Sequence, residues 1–326
     1  MHSFVAITIG DINGIGIKIL IDLWKKNKLA NFILFTDIKI FKKYLKKNKL
    51  KININLVNNK KNNNIINFVN KKFNIYTFNS LSLEDNTYKS LKYSYNYCKM
   101  KFCKGLITLP LRKDLIINKV NKKFVGHTEY FQKIDKKKLS NMILFHDKII
   151  IATLTTHIPI NKISKVISKK NFLYNKIIHL QDTLKIDFNI KKPKLVLSGF
   201  NPHAGENGRV GKEELQIILP TIKKLKRKNI NIIGPISGDS MLINKNLKKY
   251  DCYIFIYHDQ ALIPFKFISQ FSGVNYTGNL DIIRTSPDHG TAYNLISSKK
   301  FSNKSLLNCF KLINKISKNR ILNAKI

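Results

Sequence analysis

Residues 4–23 read FVAITIGDINGIGIKILIDL. Residues 4–9 are a short apolar run, as a strand covered on both faces requires. Gly10-Asp11 ends that run. Beyond it Ile15, Ile19 and Leu23 recur every four residues, which is the spacing of one helix face. A buried strand, a polar glycine-bearing loop and a helix in this order open an α/β protein. The same opening speaks against a secretion signal, because no cationic stretch precedes the apolar run and no cleavage site follows it.

Working outward, the pattern repeats. Residues 32–36, 105–109, 148–156, 194–199 and 252–257 are further apolar, β-type runs. Leu215, Ile218, Leu219, Ile222 and Leu225 mark a helix after Gly211, with Glu213 and Glu214 placed to favour its first turn. Residues 160–192 suit a peripheral helical segment. The alternation predicts a largely parallel sheet flanked by helices. At 326 residues the chain has material for one large unit or two medium ones.

The charge is extreme: 59 Lys and Arg against 19 Asp and Glu, a formal +40. Only Arg112, Arg209, Arg227, Arg284 and Arg320 are arginine, whereas phosphate and base readers favour arginine for its bidentate fork. The lysines are spread among Asn and Ile in a biased composition, so no specific nucleic-acid partner is expected. The positive field instead favours anionic small molecules. Cys98, Cys103, Cys252 and Cys309 form no CxxC pair, which fits a reducing cytoplasm. No apolar run approaches the roughly 20 residues of a membrane span.

Against this Lys/Asn/Ile background, islands of Gly, His, Asp, Pro and Arg follow the strands: Asp11, Pro110, His157, Asn201 with His203, and His258. In open α/β sheets, ligands bind beyond the carboxyl ends of strands. His157 (in TTHIP), His203 (in NPHAGENG) and His258 (in YHDQ) are 46 and 55 residues apart, too far for a local zinc motif. They are either separate loop histidines, each with its own hydrogen bond, or a tertiary site for a divalent ion. Their position at successive strand ends favours the shared site. Asp259 and Asp239 suit a supporting role beside a ligand histidine. Lys266, Asn275 and Arg284 together offer two cations and an amide to a phosphate or carboxylate. GHTEY at 126–130 joins an imidazole, a hydroxyl and a carboxylate. GDINGIG is not a GxGxxG turn.

TTHIP, LSGFNPHAGENGRVGKEE, GPISGDS, YHDQALIPFK and GVNYTGNLDIIRTSPDHGTA, with GDINGIG and GHTEYF before them, resemble the successive signatures of the 4-hydroxythreonine-4-phosphate dehydrogenase family of vitamin B6 synthesis. The resemblance runs from about residue 4 to 296. It implies an isocitrate/isopropylmalate-dehydrogenase-like fold: two α/β/α subdomains, about 1–135 plus 282–326 and 136–281, with the active site in the cleft between them. It also implies a homodimer with shared active sites. By that resemblance His157, His203 and His258 hold one divalent metal (Zn, Mg or Co), partly across the dimer. His127, Thr128, Lys266, Asn275 and Arg284 would bind the substrate, and Asp288, His289, Gly290, Thr291 and Ala292 would contact NAD. The implied reaction is oxidation of 4-phosphohydroxy-L-threonine by NAD and loss of CO2, giving 3-amino-2-oxopropyl phosphate.

The chain departs from the family pattern at Ile12-Asn13 (usually Pro-Ala), Ile17-Lys18 (usually Pro-Glu) and Leu109-Pro110 (usually Gly-Pro). Two other readings compete with the main one. A related dehydrogenase of a four-carbon sugar-acid phosphate would need no amine pocket, and a basic nucleic-acid binder would need no histidine set.

Overall fold

The structure is a computed structural model that describes residues 4–57, 67–243, 247–296 and 301–324. Their strands, in chain order, are β1 (Val5–Thr8), β2 (Phe32–Phe35), β3 (Ile54–Val57), β4 (Phe73–Tyr76), β5 (Gly105–Ile107), β6 (Asn141–His146), β7 (Ile149–Thr153), β8 (Leu195–Ser198), β9 (Ile232–Ile236), β10 (Cys252–Phe255), β11 (Val274–Gly278) and β12 (Arg284–Pro287). The helices are α1 (Ile15–Lys25), α2 (Ile38–Lys47), α3 (Leu83–Lys99), α4 (Lys113–Lys119), α5 (His127–Ile134), α6 (Ile163–Ile167), α7 (Phe172–Ile186), α8 (Leu219–Lys226), α9 (His258–Ser269) and α10 (Lys304–Asn323). Each of the six expected β-type runs is a strand. Six strands went unread: some are half-polar, as in INLV of β3, and Arg284 and Pro287 obscure β12.

The chain divides into two compact units, Met1–Phe131 with Asp281–Ser317 and Gln132–Leu280 with Lys318–Ile326. In the first unit the strands run β3-β4-β2-β1-β5-β12, every pairing parallel. All four residues of β1 and of β2 are buried, as fits strands covered on both faces. In the second unit the order is β11-β6-β7-β10-β8-β9. There β7, β10, β8 and β9 are parallel, whereas β6 pairs antiparallel with both β7 and β11.

Residues 160–192 are helical, but α7 is not merely peripheral: it buries Leu173, Ile177, Leu180 and Leu184. The C-terminal stretch also differs from the expectation that 282–326 stays together. Arg320 donates to Asp187 (Nε to Oδ1, 2.6 Å) and to the Leu280 carbonyl (3.1 Å), and Tyr276 donates its hydroxyl to the same carboxylate. This half-buried cation, with the buried carboxylate and phenol, ties the end of α10 to the second unit.

The topology matters for function. In the first unit β1, β5 and β12 lie side by side and parallel, so the residues after each leave from one sheet edge: Asp11, Pro110 and Asp288. In the second unit β7, β10 and β8 do the same for His157, His258 and His203. Each unit thus gathers three distant islands at the carboxyl ends of neighbouring strands.

Candidate functional site

In the second unit the ladder between β7 and β10 continues past both strands. Leu154 N–H donates to the Phe255 carbonyl (2.9 Å), and Thr155 donates to the Ile256 carbonyl through both N–H (3.0 Å) and hydroxyl (2.8 Å). These bonds carry His157 next to His258, their ring centres 5.8 Å apart and their planes at 42°. His258 Nδ1 lies 2.6 Å from Asp259 Oδ1. A carboxylate only accepts, so Nδ1–H donates, which fixes the tautomer and leaves Nε2 as the electron-pair donor.

The Gln260 amide binds the neighbouring loops together. Its Oε1 accepts from Ile256 N–H (2.9 Å) and from the Ser198 hydroxyl (3.1 Å), and its Nε2 donates to the Gly199 carbonyl (2.9 Å). Gly238, beside the exposed Asp239, leaves room for this amide: a Cβ there would lie 2.9 Å from Gln260 Nε2. One side chain therefore joins the ends of β8 and β10 and packs against the turn after β9.

The NPHAGENG loop is held differently. His203, Ala204, Gly205, Glu206 and Asn207 all have positive φ, between 41° and 79°. For residues with a Cβ this left-handed region is costly and persists only where the surroundings enforce it. Glu214, 2% exposed, supplies the enforcement. Its carboxylate accepts from Phe200 N–H (2.7 Å), Asn201 N–H (2.8 Å) and Asn201 Nδ2 (2.9 Å). Glu213 accepts from Asn201 Nδ2 and from the Ser164 hydroxyl; the Asn201 bond, ahead of the Ser164 bond, holds its pKa below the usual range despite partial burial. The two glutamates, read from sequence as first-turn acids of a helix, are the clamp of the loop before it. The segment itself opens as a π-helical turn, Glu214–Ile218, before α8.

His203 is exposed on this loop. Among the described residues no three His, Cys, Asp or Glu side chains gather in a way that would hold a metal within one chain. The pair His157–His258 nevertheless fits shared ligation. Two imidazoles on one divalent ion, each with a metal–nitrogen distance of about 2 Å, have ring centres roughly 5 to 6 Å apart. In the same unit Asn275 lies in β11 with its Oδ1 buried and without a hydrogen-bond partner, and Lys266 lies in α9 with its ammonium 5.4 Å from the Phe271 ring centre.

In the first unit Arg284 is 1% exposed, over the ring of Phe131 at 5.9 Å. Its Nε and one terminal nitrogen donate to the Thr108 hydroxyl (3.1 and 2.5 Å), just beyond β5. Burial brings its pKa down to about 10, so it stays charged at neutral pH. His127 and the buried Thr128 open α5. His127 Nε2 is sealed and has no hydrogen-bond partner. Burial first, then Arg284 and Lys113, hold this imidazole well below its usual pKa, so it is neutral. The neutral imidazole and the buried guanidinium thus belong to one electrostatic group in the first unit.

The residues after β12 meet the first loop. Thr291 accepts from Ile15 N–H (2.9 Å), and Gly14 allows the approach, since a Cβ there would lie 3.2 Å from that carbonyl. Asp288 N–H donates to the Ser305 hydroxyl (2.9 Å), His289 Nδ1 lies 3.0 Å from the Gly290 carbonyl, and Ala292 is left-handed. Tyr293 donates its hydroxyl to Asp11. The family departures are accommodated here. Leu109 and Pro110 pack on Gly10, where a Cβ would lie 2.5 Å from the Pro110 carbonyl oxygen and 2.8 Å from Leu109 Cβ, and more loosely on Gly16, and Lys18 donates to the Ile296 carbonyl. Alongside lies a cavity of ≈ 1000 Å³ whose wall includes Asn13, Gly14, Lys18, Tyr44, Phe301 and Asn303. Its size, aromatic rings, amides and ammonium suit a nucleotide cofactor.

Sequence reasoning passed over Gln260, Thr108 and Lys113, and read Glu214 only as a first-turn acid. Gln260 stood inside the YHDQ island, which was the available signal; the others carry ordinary residue types in ordinary surroundings.

The His127 environment has a measurable consequence. In the unfolded chain an imidazole titrates near about 6.5, whereas in the folded protein His127 resists protonation with Arg284 and Lys113 facing it and Glu129 close by. Below pH 6.5 the unfolded state therefore binds the extra proton, and stability falls as pH drops through 6.5 towards the folded value. Urea unfolding from pH 7.5 to 5 is expected to show this loss, and His127→Gln to flatten it. An identical pH slope in both proteins contradicts the assignment.

With the geometry established, comparison places the chain among known proteins. The family model for "Pyridoxal phosphate biosynthetic protein PdxA" matches residues 28–313. The chain is 35% identical over 300 residues to 4-hydroxythreonine-4-phosphate dehydrogenase of Sulfurihydrogenibium sp., covering 89% of this chain and 91% of that protein. It is 34% identical over 312 residues to the protein so named in Wigglesworthia glossinidia brevipalpis, covering 93% of each. The crystal structure of the Klebsiella pneumoniae 4-hydroxythreonine-4-phosphate dehydrogenase superposes with a TM-score of 0.82 at 24% identity, covering 97% of this chain and 98% of that one, and shares its fold. The chain belongs to the PdxA family of pyridoxal phosphate biosynthetic proteins.

Proposed function

We propose that this chain, whose relatives are named 4-hydroxythreonine-4-phosphate dehydrogenase, catalyses the NAD-dependent oxidation of 4-phosphohydroxy-L-threonine, followed by decarboxylation to 3-amino-2-oxopropyl phosphate. The observation that carries the proposal is the pair of imidazoles at adjacent strand ends, His157 and His258, together with the sealed His127 beside buried Arg284. The two units serve as the subdomains of one dehydrogenase.

The substrate-binding residues are His127, Thr128 and Arg284 in the first unit and Lys266 and Asn275 in the second. A depressed pKa keeps His127 a neutral imidazole, not an imidazolium, at neutral pH. Thr108 holds one edge of the guanidinium, so Arg284 meets the anion in a fixed plane. Asp259 keeps His258 in the tautomer that presents Nε2, with Asp239 as further support. Residues 288–292 and the adjoining cavity take NAD. When bound, NAD accepts the hydride and the divalent ion supplies Lewis acidity at the substrate oxygen. An imidazole donor set suits a zinc- or cobalt-like ion better than magnesium.

Exposed His203 completes the set across a homodimer, joining the partner subunit's His157 and the partner subunit's His258. The face of α9 supports this assembly, because Ile263 is 71% and Phe267 79% exposed on the helix that begins at His258. Such apolar exposure marks an interaction surface. The four cysteines are buried and unpaired, as suits the cytoplasm, and no helix among the described residues is long and apolar enough to cross a membrane. The lysine-rich surface carries no sequence-specific nucleic-acid function.

The test is NADH formation from 4-phosphohydroxy-L-threonine after chelation and again after divalent ion is restored. Turnover that is lost and then regained with Zn or Co supports the proposal. Preference for a four-carbon sugar-acid phosphate over the amino substrate overturns it. For the dimer, Phe267→Asp is expected to shift the sedimentation of the purified protein to the monomer and to lower metal affinity with it. A variant that sediments as the wild type does removes α9 from the interface.

A further inference from the structure

The anion site of the first unit contains more charge than the assigned residues account for. Lys113 is the first residue of α4 and follows the strand end at β5 by a short loop through Pro110. Its ammonium comes to the side of Gly126, 3.2 Å from where a Cβ on that glycine would lie, with its Cε at 3.4 Å. The Glu129 carboxylate reaches the same point, 2.9 Å away. Gly126 immediately precedes His127, and a side chain there would displace both groups. The glycine thus leaves room for a cation and a carboxylate beside the sealed imidazole nitrogen.

Electrostatics links the group into one cluster. Lys113 and Arg284 both act on His127, and Glu129 acts on Arg284. With His127 neutral, Lys113 and Arg284 both bring positive charge to one imidazole; Arg284 is buried, and Lys113 and Glu129 are half-buried. Like charges gathered beside a buried guanidinium are costly unless something offsets them. Glu129 acts in that sense on Arg284, and a bound dianion would do so for both cations.

We infer that Lys113 is a third cation of the substrate's phosphate site, and that Glu129 is a positioning residue that holds the Lys113 ammonium beside His127 when no anion is bound. This rests on the function proposed above for the same site. On this assignment Arg284 supplies the fixed, planar donors and Lys113 the movable point charge, a division that lets the site close on a phosphate without moving the buried guanidinium. Glu129 competes with the incoming phosphate for Lys113, so its removal tightens anion binding.

The experiment measures binding of inorganic phosphate to the full-length protein by calorimetry, alongside steady-state kinetics with NAD and phosphorylated substrate varied separately. Lys113→Gln is expected to weaken phosphate binding on the order of tenfold to a hundredfold, the usual loss for one charge-assisted contact. It should raise KM for the phosphorylated substrate by a similar factor and leave KM for NAD unchanged. Lys113→Arg should restore most of the phosphate affinity, and Glu129→Gln should bind phosphate more tightly than wild type. Wild-type phosphate affinity in Lys113→Gln overturns the inference. If that variant does not fold, unaltered phosphate binding in Glu129→Gln overturns it instead. Absence of turnover in the wild type would sink the proposed reaction, but phosphate binding would still report on Lys113.

Discussion

Three strand ends in the second unit are held by one amide. Gln260 accepts from the backbone beyond β10 and from the Ser198 hydroxyl at the end of β8, donates to Gly199, and rests against Gly238 after β9. Parallel strands bring their loops to a common edge, but loops are mobile unless something binds them to one another. The amide and the Thr155 bonds to Ile256 do that, and the separation of His157 and His258 follows from them. Glu214 applies the same logic to the loop of His203, where five successive left-handed residues would relax without the carboxylate that collects their neighbours' N–H groups. In this protein the strand-end histidines are placed by polar residues of the neighbouring loops.

The first unit solves a different problem. A chain with a formal charge of +40 is a poor discriminator of anions by long-range attraction, since exposed lysines attract every anion and salt screens them. Selectivity has to come from charge that is buried and fixed. Arg284 is sunk against Phe131 and pinned by Thr108, and His127 is kept neutral, so it does not add to the positive charge. The site therefore differs from the surface in geometry, not in sign.

Much of this was legible in the sequence. Unbroken apolar runs such as VAIT and CYIF can only be strands buried on both faces, and the islands after them identified the sheet edge because Gly, His and Pro have no reason to cluster in a Lys/Asn/Ile chain. Strands such as INLV were hidden, because their edge positions mix polar with apolar residues. Glu214 does stand in the first turn of its helical segment, as read, but its partners, 13 and 14 residues earlier, appear only when the loop folds back. Lys113 was invisible among so many lysines. The C-terminal stretch was misplaced because the Asp187–Arg320 pair spans 133 residues and leaves no local trace.

On the proposed function, strand-end geometry brings distant histidines onto one divalent ion. Cobalt tests it most directly, because it is paramagnetic and shifts the NMR signals of the rings that bind it. Titrating metal-free protein with Co2+ should move the His157 and His258 ring resonances together, completing at one equivalent per chain, and Gln260→Ala should weaken that step. A titration that shifts only one of these rings, or neither, contradicts the account.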